Sequence, residues 1–165
     1  MILLLLLLSA ATALGRLEET VQEIETRYGK ALKGVVPESP ATVAGLYEKN
    51  GFRITVGFFQ NKVYYEKFQK IDPEKANSFL EISNMERESL LKANCKGCDW
   101  VGTVLEKHMI LENRIVYETT SIRSDGLARA TYDTDSRILV VRSLQVEKQQ
   151  EVDEKKREQE NLKGF

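Results

Sequence analysis

The sequence is poor in the residues that most chemistry needs. Its 165 residues hold one histidine, two cysteines, three prolines and one tryptophan, and the net charge is −1. With a single imidazole, His108 must serve any Ser-His-Asp or Cys-His arrangement. A closed zinc site wants four ligands, so Cys95, Cys98 and His108 would need a carboxylate such as Asp99 to complete one. There is no Gly-x-Ser-x-Gly elbow, phosphate loop or dinucleotide fingerprint. Near-zero net charge and the lack of a basic cluster with interleaved aromatics argue against nucleic acid as a partner. No catalytic residue, metal or cofactor is expected.

Long apolar runs are also scarce, with one exception at the start. Leu3 to Leu8 form a leucine run followed by Ala11-Thr12-Ala13, the small-x-small pattern of a signal-peptidase site. The run is shorter than the roughly 20 residues a bilayer span needs. Residues 1–13 therefore read as a signal peptide, although no Lys or Arg precedes the run. No second apolar segment follows. The expectation is an exported protein, periplasmic or extracellular, with no membrane span after cleavage.

What the chain does have is strand grammar. From Tyr47 to Phe68 three antiparallel strands are expected, turning at Asn50-Gly51 and Gln60-Asn61. Between the turns Phe52, Ile54, Val56 and Phe58 alternate with Arg53, Thr55 and Gly57. The same grammar returns from Arg123 to Arg142, where Gly126-Leu127 stands 75 positions after Gly51-Phe52 and Arg137-Ile138 after Lys62-Val63. Ahead of the first copy, Leu17, Val21, Ile24 and Tyr28 make a helical stripe stopped by Gly29, with Glu23 and Arg27 as an i,i+4 pair.

Residues Lys33 to Thr42, with Pro37 and Pro40, read as a surface connection. Asp72 to about Glu81 reads as a loop, with room for one helical turn. Ser83-Asn-Met-Glu86 is a capping box opening a helix that ends near Asn94. Between Trp100 and Arg123 two strands turning at Glu112-Asn113 compete with a helix from Glu106 to Glu118. Strand is preferred for Arg114–Arg123 by analogy with the first copy. The tail, Val146 to Lys163, has six acidic and five basic residues and reads as a charged helix with i,i+4 pairs.

These readings give an α+β fold: a pseudo-repeat of two helix-plus-antiparallel-hairpin units sharing one sheet, with a charged C-terminal helix. The boundaries are 1–13 signal peptide, 14–80 first helix-plus-three-strand unit, 81–144 second helix-plus-strand unit and 145–165 helical tail.

Two sites stand out. Cys95-x-x-Cys98 is expected as a disulfide, because an exported pair meets oxidising conditions. It follows a helix end, where the dipole disfavours thiolate, which speaks against redox catalysis. The second is aromatic. Phe58, Phe59, Tyr64, Tyr65 and Phe68 crowd the first hairpin, and adjacent residues of a strand point to opposite faces. Helices cover one face, so Phe59, Tyr64, Tyr65 and Phe68 are candidates for an exposed protein-binding patch. The alternative is that they pack against loops or the tail. The functional expectation is a non-catalytic protein-binding or structural module with an unknown protein partner. The alternative is a thiol-disulfide or metal-dependent protein using Cys95 and Cys98.

The segments Arg27-Tyr-Gly-Lys30, Tyr47 to Ile54, Leu90-Leu-Lys-Ala-Asn94 with Trp100, Asp125-Gly126 with Ala130-x-Tyr132, and Asn161 to Phe165 resemble a family of small exported bacterial proteins of unassigned function. In that family small polar residues often stand where Cys95 and Cys98 are, which implies that the pair is a local feature. The tandem topology is similar to that of the β-lactamase inhibitor protein. Each unit is similar to the small lipoprotein of the outer-membrane assembly machinery. Both likenesses imply protein binding.

Overall fold

The computed structural model describes residues 17–95, 97–110 and 114–162, with 103–110, 114–116 and 162 described by backbone alone. The expected signal peptide and the turn at Glu112-Asn113 lie outside the described residues. Three helices and nine strands are present among them: α1 Val21–Tyr28, β1 Lys33–Val35, β2 Val43–Lys49, β3 Phe52–Phe59, β4 Lys62–Ile71, β5 Phe79–Leu80, α2 Asn84–Ala93, β6 Trp100–Ile110, β7 Arg114–Arg123, β8 Ala128–Asp133, β9 Ile138–Ser143 and α3 Leu144–Leu162. The fold is α+β. All strand pairings are antiparallel, in the order β1-β2-β3-β4-β9-β8-β7-β6, and β5 pairs with β4 off this path.

Local chemistry accounts for the element ends. Asn50 and Gly51 have φ of 52° and 77°, and Gln60 and Asn61 have 50° and 62°. Positive φ at both central residues is what a two-residue hairpin turn demands. α1 and α2 each open with a full capping box, Thr20 with Glu23 and Ser83 with Glu86. That reserves the Glu23 carboxylate for Thr20, whose N–H donates to it at 2.7 Å. The expected Glu23–Arg27 pair is thereby corrected: Arg27 reaches back to Glu19 instead, Nε to Oε2 at 3.1 Å.

Two connections hold more structure than the sequence suggests. Residues 33–35 form β1, which pairs Lys33 with Leu46 and Val35 with Ala44, and β2 begins at Val43 instead of Tyr47. The loop from Asp72 ends in β5, where Lys70 meets Leu80. Trp100–Ile110 and Arg114–Arg123 are both strands, so the competing helix is discarded.

The main core lies on the helix-bearing face. Ile24 and Tyr28 of α1, with Leu90 and Leu91 of α2, pack onto Tyr47, Ile54, Val56, Phe58, Val63, Phe68, Tyr132, Leu139 and Val141. The Trp100 indole ties β6 to α2 by donating to the Leu91 carbonyl at 2.7 Å. A smaller cluster of Ala41, Tyr64 and Tyr65, with Phe59 and Val146 against it, occupies the opposite face. That second cluster positions the candidate site.

Candidate functional site

The site begins with a slip in the β3–β4 ladder. Gly57 pairs with Tyr65, but the next residue, Phe58, pairs with Val63, leaving Tyr64 as an extra residue. Such a bulge bends the strand and breaks its alternation. Tyr64 and Tyr65 therefore share one cluster, their rings edge to face with centroids 5.7 Å apart. Gly57 makes the arrangement possible. A Cβ there would lie 2.1 Å from Tyr65 Cε1, so only glycine leaves room for the ring.

The two tyrosines hold down two different segments. Tyr65 Oη accepts the Glu38 N–H at 3.4 Å, from the loop that also supplies Ala41. Tyr64 Oη donates to Glu147 Oε1 at 3.3 Å on the first turns of α3. Burial pushes both phenols above their ordinary values, and the Glu147 carboxylate adds to the rise at Tyr64. Arg129 Nη2 donates to both Glu147 oxygens at 3.2 Å. Glu38 pairs with both Lys67 and Arg142, the latter at 3.0 Å.

This overturns the exposure expected of three of the four aromatic candidates. Tyr64, Tyr65 and Phe68 are buried, at 3%, 1% and 0% exposure. Phe68 belongs to the main core, while the tyrosines lie under the loop and α3. The cause is the bulge together with α3, which covers part of the face assumed to be open. Phe59 alone remains half-buried.

Phe59 lines an open cleft of about 1000 Å³ between α1 and α3. Val146 adds apolar surface above the buried Val63, and Arg27, Lys62, Gln149 and Asp153 stand among the polar residues around it. Residues 18–20 run beside β4: the Glu18 N–H donates to the Val63 carbonyl at 3.3 Å, and the Val63 N–H to the Glu19 carbonyl at 2.8 Å. Hydrogen bonding to Glu19 raises Arg27 above its ordinary value, whereas the Thr20 N–H and hydroxyl lower Glu23. None of these cleft residues except Phe59 was a candidate from sequence. Val146, one of few apolar residues in the tail, was the available signal for how α3 docks.

The other candidate site is the cysteine pair. Cys95 and Cys98 are joined by a disulfide with Cα atoms 5.4 Å apart. The pair follows the α2 C-cap Asn94, at the negative end of the helix dipole. The His108 side chain lies outside the described ones. Among the described residues no group of three or more His, Cys, Asp and Glu could hold a metal ion. No described helix is long and apolar enough to cross a membrane.

No protein-family model, no curated protein and no solved structure matches this chain.

Proposed function

We propose that the chain is an exported, non-catalytic binding module that holds a segment of a protein partner in the cleft between α1 and α3, anchored on Phe59. One observation carries this reading. Of the four aromatic candidates on the first hairpin, only Phe59 keeps surface free, and it lies in a cleft of about 1000 Å³. A ring held by a rigid sheet gives contact area at little entropic cost, the usual character of an interface anchor. The disulfide is compatible with an exported chain, and the resemblance to small exported bacterial proteins points the same way.

Within this reading the two halves form a pseudo-repeat. Support comes from the order α1-β1-β2-β3-β4, echoed by α2-β6-β7-β8-β9, with both helices opened by capping boxes. Gly51 and Gly126, 75 positions apart, have φ of 77° and 70° at corresponding turns. The polar helix α3 follows the second half and closes one side of the cleft.

The test is a pull-down from envelope extract with the wild-type chain and Phe59→Ala. Loss of a true anchor costs about 2 kcal/mol or more, roughly thirtyfold in affinity. A captured protein retained equally by a folded Phe59→Ala variant removes the cleft from consideration.

A further inference from the structure

The cleft has a definite electrostatic character, and this inference rests on the binding reading above. Six charged residues line it: Glu18, Glu19, Glu23 and Asp153 against Arg27 and Lys62. Their roles differ. Glu19 is buried and ion-paired with Arg27, so that pair is internally neutral. The Glu23 carboxylate closes the α1 capping box, with Lys62 as a nearby cation. Two carboxylates remain, one on each wall. Glu18 has no ion pair among the described residues, and Asp153 accepts a hydrogen bond from Gln149 at 3.0 Å.

Between these walls lie Phe59, Val63 and Val146. The α3 wall presents Gln145, Gln149 and Asp153 at four-residue spacing, one stripe along the helix. An apolar floor between two uncompensated carboxylates is complementary to one kind of chain: a segment whose apolar side chain enters the floor and whose flanking cations reach each wall.

We infer that the cleft takes a basic segment of a protein partner, with Lys or Arg on both sides of an apolar residue, using Glu18 and Asp153 for recognition and Phe59 for anchoring. The amide groups of Gln145 and Gln149 offer backbone hydrogen bonds to the segment. Because Glu18 is exposed and Asp153 only half-buried, binding is expected to weaken as salt rises.

The experiment uses the full chain and two labelled dodecapeptides, one alternating Lys with Leu and one alternating Glu with Leu, followed by fluorescence anisotropy. Glu18→Lys and Asp153→Lys are compared with wild type, with circular dichroism confirming the fold of each. The expected result is binding of the Lys-Leu peptide at least tenfold tighter than the Glu-Leu peptide, reduced about tenfold by either reversal. Equal binding of the two peptides overturns the inference, as does indifference of Lys-Leu binding to both reversals. So does binding of spermidine without either peptide, which makes the occupant a small polyamine. Sensitivity to Phe59→Ala separates the two claims. If Phe59→Ala weakens binding while the reversals do not, the cleft stands and its basic occupant falls.

Discussion

Arg129 and Arg142 stand directly opposite each other on neighbouring strands, and each is neutralised by a carboxylate that the sheet does not supply. Glu147 comes from α3 and Glu38 from the loop before β2. Like charges opposite one another destabilise a ladder, so the loop and the helix are fastened where the sheet most needs them. Glu38→Gln and Glu147→Gln should each lower stability by about 1 kcal/mol, since the pairs are only partly shielded. Adding Arg142→Thr to Glu38→Gln should recover part of that loss in urea unfolding. If the double variant is less stable than the single, the opposed arginines do not carry the effect.

Gly57→Ala should destabilise by about 2 kcal/mol, the usual cost of overpacking. The added methyl would meet the Tyr65 ring, a neighbour fixed beneath the Glu38 loop. Tyr65→Ala in the same background should make Gly57→Ala close to neutral. A Gly57→Ala protein as stable as wild type would mean that the ring swings aside freely.

Glu86 sets an acid limit. Hydrogen bonds from Lys70 and then Ser83 hold its carboxyl down at about 2, against an ordinary 4.5. A carboxylate depressed in the folded state contributes stability that is whole above its unfolded value and is lost as pH falls toward its folded value. Melting temperature should therefore drop between about pH 4.5 and 2, and Lys70→Met should shrink the drop in that window at low salt. Identical profiles for the two proteins would assign the acid sensitivity to other groups.

The cysteine pair closes a very short loop. A chain-entropy argument gives about 2 kcal/mol for it, less than for long loops. Cys95→Ser with Cys98→Ser should show that loss under oxidising conditions and little difference from wild type in reductant. A large change in partner binding at unchanged stability would instead favour a thiol role for the pair.

How much of this could be read from the chain depends on distance along it. Asn50-Gly51, Gln60-Asn61 and the Ser83–Glu86 box act over two or three residues, so their backbone demands are visible in the letters themselves. The Thr20–Glu23 box is equally local, and only the competing Glu23–Arg27 pairing hid it. The fate of Tyr64 and Tyr65 is different. Their alternation was broken by a one-residue slip against β3 that no property of Tyr64 announces. Their cover comes from Glu147, 83 positions beyond Tyr64, and the neighbouring Arg142 pairs with Glu38 across 104 positions. Phe59 was legible as an aromatic but not as the one left free. That depended on where α3 comes to rest.

The seam between β4 and β9 governs the order of assembly. Tyr65 pairs with Arg142, 77 positions later, whereas the neighbouring ladders join strands adjacent in the chain. Closing so long a loop carries more entropy cost than making a hairpin, and such contacts form slowly. As the chain emerges, β1 to β4 can meander together while β4 still presents an unpaired edge. Apart from Lys70 and Ile71, which take the short β5, that edge stays open until β9 arrives, and α3 follows β9 directly. The cleft is thus completed only once β9 has paired, because the helix that forms one of its walls follows that strand.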